Sequence, residues 1–201
     1  MTRNMRSALA AALALCAVAA PLQAQQLMSD SFSFLEAVRK RDGAKATKFL
    51  AEPGTQVVNT RDRSSGDGGI HIVTRGRDGN WLAFLLGKGA RPDLQNREGN
   101  TALALAAQIG WAEGAQALLG RRASVDLPNN RGETPLIHAV LGRDMAMVRM
   151  LLASGANPRK TDSIAGYSAL DYAKRDPRAA GLVKMLEIPV KPAKAVSGPT
   201  L

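Results

Sequence analysis

From residue 63 to residue 161 the apolar positions return every 33 residues. Ile70, Leu103 and Leu136 form one column, and Leu82, Ala115 and Val148 form a second. The pairs Leu85–Leu86, Leu118–Leu119 and Leu151–Leu152 make a third, followed by Ala90, Ala123 and Ala156. Glycines keep the same register at Gly66, Gly99 and Gly132. Within one period a polar, Gly-bearing loop is followed by a short apolar helix, a polar break and a second helix. Val148, Leu151 and Leu152 place apolar groups at i, i+3 and i+4 of that second helix, the spacing of one helical face. Gly89 and Gly155 then stop the second helices, at a position suited to the left-handed backbone.

Two more units appear with a slip in spacing. Leu170, Ala173, Leu182 and Met185–Leu186 fit the pattern on the C-terminal side, and Ala37, Ala46 and Phe49–Leu50 fit it on the N-terminal side. The expected units are 29–62, 63–95, 96–128, 129–161 and 162–188, the first and last degenerate as befits caps whose outer faces meet water. Two short helices cannot bury their apolar faces alone, so the units must stack. The fold class expected over residues 25–188 is all-α, a solenoid of about five helix-turn-helix units joined by short hairpin-like loops.

The stretch "ETPLIHAVLGRDMAMVRMLLASGANP" resembles an ankyrin repeat, whose signature at this period is T-P-L-H-x-A. Thr134, Pro135, Leu136 and Ala139 match it, as do Thr101, Leu103 and Ala106 one unit earlier and Ile70 and His71 in the unit before that. Gly68–Gly69 depart from the pattern in place of Thr–Pro. Arg122 stands where Gly89 and Gly155 stand. A left-handed Arg122 costs on the order of 1 kcal/mol, unless that turn is reshaped.

Residues 1–24 form a separate element. Arg3 and Arg6, then thirteen small or apolar residues from Ala8 to Ala20, then Pro21 and Ala24 follow the order of a secretory signal peptide. That run is shorter than the roughly 20 residues of a membrane span. Cleavage is expected after Ala24, with Ala19 as the fallback. Leu15 before Cys16 argues against a lipid anchor. Cys16 is the sole cysteine, so an exported domain would be held by its core without disulfides. Export without disulfides points to a bacterial periplasm, with secretion as the alternative. Residues 189–201 contain Pro189, Pro192 and Pro199 and have no apolar period, so a disordered tail is expected.

Removing the two arginines of residues 1–24 lowers the net charge from +10 to +8. Eighteen of the 27 basic residues are Arg, the side chain suited to carboxylate partners. Catalysis and metal binding find no support in the pattern. His71 and His138 lie 67 positions apart, and no phosphate loop, dinucleotide fingerprint or nucleophile elbow is present. The "GRD" at 76–78 and 142–144 recurs in register, so Asp78 and Asp144 are expected to interact with the start of the second helices. The resemblance assigns His71 to bracing its turn.

The function implied is non-enzymatic recognition of a protein, without cofactor or metal, by a monomer that neither spans a membrane nor binds nucleic acid. In related repeats the contacts come from loop tips and first helices. Carried onto this chain, the loop candidates are Ser64, Ser65 and Asp67; Arg97, Glu98 and Asn100; and Asn130, Arg131 and Glu133. The first-helix candidates are Arg75, Gln108, Ile109 and Leu141. Trp111, in the helix–helix break, is expected to be partly exposed and to join them, whereas Trp81 is expected to pack. Arg75, Arg97 and Arg131 suit an acidic partner. The competing reading is attachment of a basic module to an anionic envelope surface or polymer.

Overall fold

A computed structural model describes residues 30–51 and 56–187; the expected signal peptide, 1–24, and the expected disordered tail, 189–201, lie outside the described residues. Ten helices fall into five successive pairs among them. The pairs are α1 (30–40) with α2 (Gly43–Leu50), α3 (Gly69–Arg75) with α4 (Gly79–Gly87), and α5 (Ala102–Gln108) with α6 (Ala112–Gly120). They continue with α7 (Pro135–Leu141) and α8 (Met145–Ala153), then α9 (Ala169–Arg175) and α10 (Ala180–Glu187). The first helices α3, α5, α7 and α9 pack side by side in one layer, and α4, α6, α8 and α10 in a second. The described structure is an all-α solenoid with no strand beyond two isolated bridges, Arg61 with Gly68 and Thr161 with Ser168.

The columns in the sequence are the core. Leu85, Leu118 and Leu151 are fully buried, as are Leu82, Ala115 and Val148, and each buried Leu contributes about 1.5–3 kcal/mol. Helices of seven to nine residues are too short to persist alone in water, so this burial between neighbours is what holds them. Their starts are set by side-chain caps. Thr101, Thr134 and Ser168 accept from the amides of Ala104, Ile137 and Asp171 at the first helices. Asp42, Asp78 and Asp144 accept from Lys45, Trp81 and Met147 at the second. The recurring Asp of "GRD" is therefore an N-cap. Trp111 occupies that place in α6 without a capping bond.

The loops between pairs are joined tip to tip. Arg97 N donates to Ser65 O at 3.0 Å, Asn130 N to Glu98 O at 3.0 Å, and Ser163 N to Arg131 O at 2.8 Å. This approach explains the glycine column. Gly66 and Gly99 have φ of +72° and +80°, and a Cβ there would come within 2.5 Å of the Arg97 and Asn130 amide nitrogens. Both the backbone conformation and the close neighbour exclude a side chain.

Four non-glycine residues among those described adopt left-handed backbone, and all are arginines: Arg41 (φ +58°), Arg77 (+50°), Arg122 (+62°) and Arg143 (+54°). The turn at Arg122 is thus not reshaped; the strain is retained. Arg41 recovers its cost by donating from Nε to Asp78 at 2.5 Å and from a terminal nitrogen to Val38 O at 2.6 Å. The Arg122 side chain is exposed and makes no comparable bond among the described residues. Arg122→Gly should therefore stabilise the fold by about 0.5–1 kcal/mol, while Arg41→Gly should destabilise it by about 1 kcal/mol. Urea unfolding of both variants beside the parent tests this pair of opposite signs.

Candidate functional site

The loop tips and the exposed flank of α3, α5 and α7 form one row across the three central pairs. Each loop is shaped by an Asn or Asp that accepts amides of its own turn. Asn96 Oδ1 accepts from Glu98 N and Asn100 N, and Asn129 Oδ1 accepts from Arg131 N and Glu133 N. Asp62 and Asp162 hold the outer turns in the same way. Asp62 is held well below the usual carboxylate range by the Ser64 hydroxyl, then by Arg39 and the turn amides. Burial works against ionisation of Asp162, yet the Tyr172 hydroxyl and three turn amides outweigh it and lower its pKa. The Tyr172 hydroxyl, donating to Asp162 at 2.6 Å, is pushed up to about 12 by that bond, with burial and the Asp162 charge adding to it.

These Asn side chains also link one unit to the next. Asn96 Nδ2 donates to Asp67 at 2.8 Å, and Asn129 Nδ2 donates both to Asn100 Oδ1 at 3.0 Å and to Glu133 at 2.9 Å. Asp67, Asn100 and Glu133 are thus members of a buried polar ladder, 9%, 6% and 8% exposed. Their expected place at the contact surface is corrected accordingly. Satisfied polar groups of this kind fix register between units. Asn96 and Asn129 are the functional part of the ladder that the sequence reading passed over. The signal for them is an Asn three residues before Gly99 and again before Gly132.

Trp111 is also corrected: it is 6% exposed. Its ring lies over Gly114, where a Cβ would fall on the indole. In register, Gly114 corresponds to Trp81 and to the fully buried Met147. The indole of Trp111 therefore fills from the helix cap the space that a side chain from α6 would otherwise take. Trp81 packs as expected, half-buried against the core and edge-on to Phe84 with centroids 5.4 Å apart and with Arg41 above it at 6.0 Å.

The remaining candidates lie at the surface. Ser64, Ser65, Arg97, Glu98, Asn130 and Arg131 are exposed on the tips, and Arg75, Gln108 and Leu141 on the first helices; Ile109 is half-buried. Arg75 pairs with Asp67 at 3.3 Å and Arg131 with Glu133 at 3.3 Å, but their side chains remain 46% and 65% exposed. Arg97 donates to Arg63 O at 2.5 Å. The buried acids thus position arginines whose outer faces meet solvent, an arrangement suited to receiving carboxylates.

The two histidines lie largely inside the fold. His71 is fully buried, with Nδ1 accepting from Gly68 N at 3.0 Å and Nε2–H donating to Asn100 O at 3.0 Å. Burial lowers its pKa, and the Gly68 donor leaves no room for a second ring proton. His138 is lowered by burial too, against the opposing charge of Glu133. Its Nε2 is buried without a hydrogen-bond partner among the described residues, 3.9 Å from Glu133. Among the described residues no three His, Cys, Asp or Glu side chains are grouped to hold a metal ion, and no helix is long and apolar enough to cross a membrane.

Residues 70–162 match the sequence family described as Ankyrin repeats, in three copies. A putative ankyrin repeat-containing protein of Treponema pallidum is 38% identical over 114 residues, which cover 55% of this chain and 38% of the relative. The B-cell lymphoma 3 protein homolog of Mus musculus is 35% identical over 113 residues, 54% of this chain and 25% of the relative. The chain spans less than two-fifths of the length of either.

Both histidines bind a proton more weakly in the folded chain than at the unfolded value of 6.5. The unfolded state therefore takes up more protons near that pH, and stability present above 6.5 is lost as the pH falls through it. The depressed carboxylates Asp62, Asp162, Asp171 and Asp176 keep their contribution until the pH nears their ordinary 3.8. Urea unfolding should show a decline between pH 7.5 and 5. His138→Leu, which restores the apolar type of Ile72 and Leu105 in that column, should lessen the decline and add about 1 kcal/mol at pH 7.

Proposed function

We propose that this chain, whose residues 70–162 are ankyrin repeats, is a non-enzymatic scaffold that holds another protein against its row of loop tips and first helices. Ankyrin repeats mediate protein–protein interaction, and the array described here is an ankyrin solenoid. The observation that carries the choice of face is the set of arginines Arg75, Arg97 and Arg131, each anchored at one side and open to solvent at the other. They favour a partner with carboxylates along one edge. The signal-peptide pattern of residues 1–24 supports export to a periplasm as the setting. The net charge of +8 left once residues 1–24 are removed supports the second reading, attachment to an anionic envelope surface or polymer.

A cross-linking pull-down from bacterial envelope extract, at low and at moderate salt, separates the two. The baits are the mature chain and its Arg75→Glu/Arg97→Glu/Arg131→Glu variant. One dominant protein should survive moderate salt on the first bait and bind the second at least roughly tenfold less, as expected from about 1 kcal/mol per rim charge. A smear of acidic material that disappears with salt would favour the surface-attachment reading. Retention indifferent to the three substitutions would overturn the arginine row.

A further inference from the structure

We propose that the junction between the third and fourth helix pairs is a docking site for a protein segment presenting an arginine beside an apolar side chain. The proposal rests on the reading that the array binds protein, but it centres on the breaks between first and second helices and shares only Ile109 and Leu141 with the row.

At those breaks the chain repeats a two-residue device: an arginine in left-handed backbone, then the aspartate that caps the second helix. It occurs at Arg41–Asp42, Arg77–Asp78 and Arg143–Asp144. Each arginine reaches forward to the next unit. Arg41 donates to Asp78 Oδ2 at 2.5 Å, and Arg143 donates to Asp176 Oδ2 at 3.0 Å. Arg77 finds Trp111 in place of an aspartate and donates to Ile109 O instead.

The third unit breaks the series. Gly110 takes the arginine's place, with φ of +64°, and brings no side chain to Asp144. A Cβ on Gly110 would lie 3.4 Å from Asp144 Oδ2, so the carboxylate faces the position from which a guanidinium would come. Asp144 Oδ1 is occupied with the Met147 amide at 2.9 Å, whereas Oδ2 has no side-chain partner among the described residues. The neighbouring cations are engaged elsewhere, Arg77 at the Ile109 carbonyl and Arg143 at Asp176.

Apolar residues border Asp144 along the chain, the Met145 side chain ending beside Gly181 of α10. Leu141, three residues before Asp144, is 51% exposed, and Met145, immediately after it, is 47% exposed. Ile109, half-buried, precedes Gly110, and the buried Trp111 follows it as a firm base. Only two other large apolar side chains among the described residues are so exposed, Phe32 and Ile164. The Asp78 and Asp176 sites in this same molecule show that a guanidinium is the chemistry this carboxylate place accepts. Leu141 and Met145 supply the apolar contact that an exposed ion pair alone lacks.

A random twelve-residue peptide display library, panned against four baits, tests the site. The baits are the parent chain, Gly110→Arg, Asp144→Asn and the triple Glu variant at Arg75, Arg97 and Arg131. Gly110→Arg supplies the missing guanidinium on a backbone that three arginines already tolerate, and Asp144→Asn keeps a competent cap while removing the charge. Circular dichroism melting confirms that both fold. Peptides enriched on the parent should carry Arg next to Leu, Ile, Met or Phe, and should bind both junction variants at least roughly tenfold less. Equal recovery on Gly110→Arg, enrichment of acidic sequences, or no enrichment over blank support overturns the site. Peptides lost on the triple variant but kept on both junction variants would also overturn it, while leaving the arginine row standing.

Discussion

No helix pair in this chain can satisfy itself. Each pair needs a neighbour for its apolar face, where Leu85, Leu118 and Leu151 are fully buried, and equally for its polar groups. The loop-tip amides of Arg97, Asn130 and Ser163 find their acceptors only one unit back. His71 finds the Asn100 carbonyl only one unit forward. Apolar and polar demands thus point across the same junctions, and the solenoid follows from their agreement.

The polar junctions decide which residues remain for recognition. An acid that looks available on a loop, such as Glu133, is drawn inward by Asn129, and in turn holds Arg131 at the surface. Arg75 and Arg131 are consequently the outer ends of a buried network. Neutral amides carry most of that network, which limits the cost of burying charge.

The period, the helix pairs and the core columns were legible in the chain because a 33-residue repeat displays each position three times. The loop positions misled for a physical reason. Polarity alone does not distinguish an exposed polar group from one satisfied by a buried amide; Asp67 and Asn100 accept such an amide from the next unit, and Glu133 accepts one from its own. Trp111 misled because its register partners are the aspartates Asp78 and Asp144. The compensating Gly114, opposite Trp81 and Met147, was the readable sign of an exchanged side chain. The arginines at Arg77 and Arg143 were seen as half of a repeated charge pair, but their left-handed backbone and forward reach depend on how adjacent units sit.

The tip-to-tip bonds all run in one sense, from the amide of a later loop to the carbonyl of an earlier one. Excising one complete central repeat brings together a donor and an acceptor of the same kind as those removed. Excising a fraction of a repeat leaves an amide and a carbonyl facing nothing, along with a glycine that no longer has a tip to admit. Length in this architecture is consequently counted in whole repeats, and an array that gains or loses one keeps the same grammar at every joint.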